Sequence, residues 1–536
     1  MTPTTTSTTG LEALYLAAVD SNVSFVTAVA GYPITAVMDR FLENNKDAVM
    51  GAVVGADVDT NATIDAKWMT NEKVALEGAL GASVSGRRAL VLTKHVGMNV
   101  LSDPLVTSVT HTIGAGLVIF AGDDPGVAAS QNEQDSRWYG EIAEVAVYDP
   151  STPQDAYSAV VRAFELSEQV SAPVIVRITH RLEISEGLLD RVKKVNKDQY
   201  DTKVVFDRSI WAITMRGKHE KLHLESYPKL VEEAENTLLN KLTMGSESED
   251  GNEGEYDNKG GGKWNVGIIS SGYPSALVAN VLDTRTNVSH LELGMVNPIP
   301  FNTVREFVKT HKRILIVEET EPFIESHLCI LDNVLGKKTG HLPYGQVDVE
   351  HIEYALDHIN NDTVVKYTDI QTIASRGARS ICDDCPYLPL YHILHDLDVL
   401  VAGDLGCSVR SAPAPLEAVD TGFALGSSIA VACGFEKKGI AVIGDFGLAH
   451  SGIVGLINAV HCGFDVVVIV LQNKIAAMTG GQDVPDLTDV VKAEVADVTS
   501  FDIDEGVIGT LFELINEKLG KRGVSVIFVK GKCRKY

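Results

Sequence analysis

The chain is short of positive charge. Its 46 lysines and arginines stand against 72 aspartates and glutamates, a net charge of −26. Nucleic acids and anionic membranes bind basic patches, so the balance argues against both partners. No apolar run approaches the ~18 residues that a membrane helix needs. The opening MTPTTTSTTG has neither charge nor an apolar core, so it does not read as a signal peptide and a cytoplasmic location is expected. Cysteine is scarce and odd in number: seven, all in the C-terminal half. That pattern does not read as a disulfide framework and points to metal ligands or buried thiols. Aromatics make up 6% and apolar residues 45%, as in α/β globular proteins. A length of 536 residues suggests roughly three domains or more.

The most informative stretch runs from Ile440 to Gln482. An apolar run, Ile440 to Ile443, ends in Gly444-Asp445. A helical pattern follows, with Ile453, Leu456, Ile457 and Val460. Then Val466 to Leu471 reads as a buried parallel strand, followed by Gln472, Asn473 and Lys474. Such a βαβ crossover brings Asp445 and Asn473 together in the crevice where open α/β sheets bind ligands. A carboxylate and an amide carbonyl are hard oxygen donors that suit magnesium and a phosphate partner. The bland alternative is an ordinary βαβ unit with turn residues at its ends.

Around this stretch the chain divides into four segments. Residues 1–190 alternate strands (Val23 to Val29, Ala89 to Leu92, Ala115 to Phe120, Val145 to Tyr148, Val174 to Ile178) with helices (Glu72 to Val84, Pro153 to Gln169). This predicts a doubly wound parallel sheet. Polar clusters meet its strand ends: GYPIT at 31–35, TNEKVALE at 70–77, KHVGMN at 94–99, GDDPG at 122–126 and QNEQDSRWYG at 131–140. Glu72 reads either as a capping acid after Thr70 or Asn71 or as a functional one. His95, just after a strand, is equally open between structure and catalysis. Residues 191–263 are charged and helical, ending in the acidic, Gly-rich spacer GSESEDGNEGEYDNKGGG. Residues 264–372 form a second α/β unit, with strands at Asn265 to Ile269, Val288 to Leu293, Ile314 to Glu318 and Val347 to Ile352. Its SSGYPSALV is a strand-to-helix turn at Gly272, and Glu318, Glu319 and Glu321 read as solvated carboxylates. Residues 373–536 hold CDDCPYLP, GDLGCS and the Gly/Ser-rich PLEAVDTGFALGSSIAVACG, whose backbone amides suit a diphosphate.

The 28-residue spacing from Asp445 to Asn473 resembles the thiamine diphosphate signature, with Phe446 and Gln472 in place of a Gly and an Asn. NEKVALEGALGAS, KHVGMNVLSDPL, DDPGVAASQNEQDSR, LGMVNPIP, VEETEPFIE, GDLGC, AVDTGFALGSSI and NKIAAMTGGQ resemble, in order, the alpha subunits of the indolepyruvate ferredoxin oxidoreductases. The resemblance covers nearly the whole chain. It implies an α/β fold of three doubly wound parallel-sheet domains: pyrimidine-binding, transketolase C-terminal-like and diphosphate-binding. It implies that Asp445, Asn473 and the Ile475 carbonyl hold Mg²⁺. Gly403, Asp404, Leu405, Asp420, Gly444, Phe446 and Gly447 would line thiamine diphosphate. Glu72 would act on the pyrimidine, with His95 beside the chemistry. Thr35, His95 and Arg137 would receive the substrate carboxylate at the mouth between the first and last domains. Cys382, Cys385, Cys407 and Cys533 would hold a [4Fe–4S] cluster, and Cys329, Cys433 and Cys462 read as buried thiols.

Three departures bear on function. CDDCPY stands for the family's CPGCPH, GYPIT for its GYPGTP, and the sequence stops at Cys533-Arg534-Lys535-Tyr536, where a ferredoxin-like segment usually begins. The expected reaction is oxidation of an aromatic 2-oxoacid to acyl-CoA, with electrons passing to ferredoxin. The expected assembly is a homodimeric core with a smaller beta subunit. A non-oxidative thiamine-dependent decarboxylase or carboligase is the alternative, favoured by the missing segment and opposed by the four cysteines.

Overall fold

The computed structural model describes residues 6–54, 64–191, 206–211, 213–246, 264–328, 330–364 and 380–536. The acidic spacer from 247 onward and Cys329 lie outside the described residues. The chain divides into two compact units, Met1–Gln371 and Thr372–Tyr536, so the first three expected segments share one unit. No described helix is long and apolar enough to cross a membrane.

The first unit contains a seven-stranded sheet. Its order is Met295–Asn297, Val147–Tyr148, Val174–Thr179, Leu117–Asp123, Ala89–Lys94, Phe25–Ala28 and Asp65–Trp68. All pairs are parallel except the first, Met295–Asn297 against Val147–Tyr148. Leu117–Asp123 and Val174–Thr179 are buried along their whole length, as strands covered by helices on both faces must be. The edge strand Met295–Asn297 comes from the expected second domain. A five-stranded sheet belongs to that part: Val334–Leu335, His311–Val317, Trp264–Ser271, Ser289–Leu293 and Lys241–Thr243.

Three expectations fail in this unit. Val347 to Ile352 is not a strand, because Val349–Asp357 is a helix. Its buried Ile352, Ala355 and Leu356 recur at helical spacing, and the Asp348 amide donates to His351 Nδ1 at its start. Glu318 and Glu319 are not solvated; both are fully buried. Arg137 offers nothing to a substrate. Its guanidinium is 0% exposed and grips Asp135 (Nε to Oδ1, 2.9 Å), Glu318 (Nη1 to Oε2, 2.7 Å) and the Glu319 carbonyl (Nη2, 2.9 Å). Burial alone would lower its pKa, but Asp135 and Glu318 more than offset that and raise it.

Arg177 is buried beside it, donating to Asp123 Oδ2 at 2.6 Å and to Asp149 Oδ1 at 3.2 Å. These groups tie the two sheets of the unit together. The turn at Gly272 belongs to the same junction. Its φ is +64°, and a Cβ there would stand 2.7 Å from Asp149 Oδ1, so only glycine fits.

The second unit is a five-stranded, wholly parallel sheet in the order Val401–Ala402, Gly439–Gly444, Val466–Gln472, Val524–Lys530 and Asp497–Asp502. The run VVVIVLQ is buried at every position. Helix Ile453–His461 turns Leu456 and Ala459 into the core and leaves Val454 and Ile457 exposed.

Removing Arg137 would strand Asp135 and Glu318 as buried, uncompensated charges. Arg137→Met is expected to destabilise the protein by about 3–5 kcal/mol, measured by denaturant unfolding.

Candidate active site

The first cluster of candidate residues lies on the carboxyl edge of the sheet in the second unit. Gly439–Gly444 and Val466–Gln472 are neighbours, with Gly444 opposite Leu471. Asp445 and Asn473 therefore leave adjacent strands on one edge. Asp445 Oδ2 accepts the Lys474 amide at 2.6 Å, and Oδ1 accepts the Phe446 amide at 2.9 Å. Asn473 Oδ1 accepts the Ile475 amide at 3.0 Å, across Lys474 at φ +64°. Burial pushes the Asp445 carboxyl up to about 6, opposed by backbone amides. A buried carboxylate held by amides, with an amide oxygen on the next loop, fits a divalent cation.

The helix after Asp445 is one continuous rod with a π turn, Leu448–Gly452, between Asp445–Gly447 and Ile453–His461. π turns mark functional sites more often than chance. Gly447 lets the rod approach Asp404: a Cβ there would stand 2.2 Å from Asp404 Oδ2. Asp404 is buried between Gly403 and Leu405. Its Oδ1 accepts the amides of Gly426 (2.6 Å) and Ser427 (3.2 Å), its Oδ2 has no hydrogen-bond partner, and burial pushes it up to about 7. Within the Gly/Ser-rich segment, the Gly426 and Ser427 amides are thus already taken by Asp404. The exposed Asp420 accepts the Val401 amide at 2.7 Å.

The four candidate thiols are gathered nearby. Burial pushes Cys385 up to about 11, and Cys407, Cys382 and Cys533 add to that rise. Tyr387, two residues after Cys385, donates its hydroxyl to the Gly531 carbonyl at 3.2 Å, two residues before Cys533. That bond ties the CxxC loop to the segment after the last strand. Among the described residues no three His, Cys, Asp or Glu side chains are placed to ligate one metal ion. The sulfurs of a four-iron cluster each bind a different iron and so need not converge on one point. The remaining thiols differ from expectation, Cys462 being exposed and Cys433 half-buried.

The second cluster lies in the first unit, where Ala89–Lys94 ends and helix His95–His111 begins. Glu72 opens helix Glu72–Val84, and Asn71, not Glu72, caps it by accepting the Lys73 amide at 2.9 Å. Glu72 is 7% exposed and packs on Gly97, where a Cβ would stand 2.7 Å from its Oε1 and 2.1 Å from Thr93 Oγ1. His95 is buried with neither ring nitrogen in hydrogen-bond geometry; burial lowers its pKa against the pull of Asp123. Thr35 uses its hydroxyl on the Gly31 carbonyl (2.9 Å) and amide (3.0 Å). Arg137 belongs to the ion network instead. Lys94, which motif reading passed over, is mostly buried here with Glu72 and Asp124 as its charged neighbours. The available signal was a lone cation at a strand end in a cation-poor chain.

Residues 404–507 match the family described as thiamine pyrophosphate enzyme, C-terminal TPP binding domain. Residues 21–207 match pyruvate flavodoxin/ferredoxin oxidoreductase, thiamine diP-binding. Indolepyruvate oxidoreductase subunit IorA of Archaeoglobus fulgidus is 30% identical over 89% of this chain and 76% of its own length. The IorA of Pyrococcus abyssi is 30% identical over 98% of this chain and 85% of its own. The chain belongs to the indolepyruvate oxidoreductase IorA family. It is thus a thiamine diphosphate-dependent 2-oxoacid:ferredoxin oxidoreductase. Among solved structures, a 2-oxoglutarate:ferredoxin oxidoreductase from Magnetococcus marinus aligns with 66% of the chain and 65% of its own, at 16% identity and TM-score 0.48. In this IorA-family chain the two matched regions contain the two clusters: Glu72 and His95 in the first, Asp445 and Asn473 in the second. Cys382, Cys385 and Cys533 fall outside both.

Gly97→Ala would drive a methyl into Thr93 and Glu72. A loss of about 1–3 kcal/mol in stability is expected from such overpacking, with Glu72 displaced in a crystal structure of the variant.

Proposed function

We propose that this chain oxidises an aromatic 2-oxoacid, such as indolepyruvate or phenylpyruvate, to its acyl-CoA and sends the electrons through a [4Fe–4S] cluster to ferredoxin. The observation that carries the reading is the donor pair on one strand edge, Asp445 and Asn473, joined by the Lys474 amide. Their side chains and the Ile475 carbonyl would hold Mg²⁺. Gly403, Asp404, Leu405, Gly444, Phe446 and Gly447 would shape the diphosphate loops. Bound thiamine diphosphate supplies the carbon nucleophile for the 2-oxo group and takes up the electron pair released with carbon dioxide. Glu72 holds the proton shared with the pyrimidine ring, and its burial against Gly97 keeps water from it. Cys382, Cys385, Cys407 and Cys533 would carry the cluster, supported by their mutual proximity. The names of the relatives suggest the aromatic substrate. A homodimeric core with a smaller beta subunit belongs to the same reading.

Protein purified without air should contain iron and acid-labile sulfide, and should reduce methyl viologen with phenylpyruvate and coenzyme A. Release of carbon dioxide by iron-free protein would replace this reading with the non-oxidative decarboxylase.

Asp445→Ala, stripped with chelator and titrated with thiamine diphosphate and Mg²⁺ in a calorimeter, should show no binding. Unchanged affinity would remove the site assignment.

A further inference from the structure

Lys94 is the last residue of strand Ala89–Lys94, at the edge where Glu72 and His95 meet. Among the described residues its Nζ makes no hydrogen bond or ion pair, although Asp124 and Glu72 are its charged neighbours. Asp124 is occupied elsewhere: its carboxylate accepts the amides of Ala128 (3.0 Å), Ala129 (2.9 Å) and Ser130 (2.7 Å). Glu72 is pressed on Gly97. The lysine stem runs along Gly31, where a Cβ would stand 3.0 Å from Lys94 Cδ and 3.2 Å from its Cβ. Gly31 is held in its turn by the Thr35 hydroxyl. The Gly31 turn therefore forms a close wall beside the Lys94 stem.

Among the described residues, several other cations of this unit are already engaged. Arg137 and Arg177 are closed inside the ion network, and Arg181 pairs with Glu319 at 2.8 Å. Lys337 is buried and donates to the Pro343 carbonyl. A partly desolvated ammonium with no partner is costly and gains from an incoming anion.

We propose that Lys94, in place of Arg137, receives the carboxylate of the 2-oxoacid substrate, with the Thr35–Gly31 turn as the wall that positions it. This rests on the proposed function, since it takes a 2-oxoacid as the substrate. The carboxylate is bound as an anion and leaves as neutral carbon dioxide. The ion pair therefore strengthens substrate binding more than the chemical step.

Kinetics of the intact enzyme, with any partner subunit it carries, decide the point. Phenylpyruvate is varied with coenzyme A and methyl viologen saturating. Lys94→Met should raise the KM for phenylpyruvate on the order of 10–100-fold, the value of one charge-assisted hydrogen bond, with kcat changed far less. Lys94→Arg should stay near wild type, and Lys94→Gln replaces the Met variant if that one fails to fold. A KM within twofold of wild type overturns the inference. So does a rise confined to the KM for coenzyme A, which would assign Lys94 to a phosphate. If the wild-type enzyme consumes no 2-oxoacid at all, it is the proposed function that fails. If wild type turns over and only the variants behave unexpectedly, the inference fails alone.

Discussion

The first unit depends on two guanidinium groups buried at the junction of its sheets. Arg137 and Arg177 stand among Asp123, Asp135, Asp149 and Glu318, all at or near zero exposure. Unpaired, each charge would cost several kcal/mol to bury; paired and hydrogen-bonded, they hold the unit in one arrangement. The network spans residues nearly two hundred positions apart, from Asp135 to Glu321, whose carbonyl also accepts from Arg137. It joins the expected first and second domains within one compact unit. It also withdraws arginine from chemistry, and that is why the unengaged Lys94 ammonium stands out.

The second unit solves a different problem. A wholly parallel sheet sends every strand's carboxyl end to one edge, so the loops there meet whatever their separation in sequence. Asp404, Asp445 and Asn473 come from successive strand ends, and Cys533 follows the last strand. Burial raises both carboxyl groups, to about 7 and about 6, with backbone amides rather than full cations doing most of the opposing. Glycines make the closeness possible. Gly426 has φ +85°, and a Cβ there would stand 2.2 Å from Ser451 Oγ.

Both units thus gather acidic groups: around buried arginines in the first, and against backbone amides in the second. An enzyme of anionic substrates and cofactors needs such selective placement more than it needs net positive charge. The chain's −26 is compatible with binding 2-oxoacids and a diphosphate because the local field, not the total, acts at contact distance.

The sequence by itself determined the α/β class, the helix Glu72–Val84 to the residue, and the strand–helix–strand unit carrying Asp445 and Asn473. Those features are local: β-branched runs, helical periodicity and fixed motif spacing are written in consecutive residues. Tertiary structure alone decided the rest. Val347 to Ile352 is rich in residues that suit a strand, yet capping and the helical spacing of its buried side chains make it helix. Arg137 sits in a motif-like stretch, but its partners Glu318 and Glu319 are long-range and carry no local signal. The Gly426 and Ser427 amides suit an external anion in sequence and find Asp404 in space. Lys94 is a common residue at a strand end. That it lacks a partner among the described residues shows only when every neighbouring charge has been placed, because pairing belongs to the folded whole.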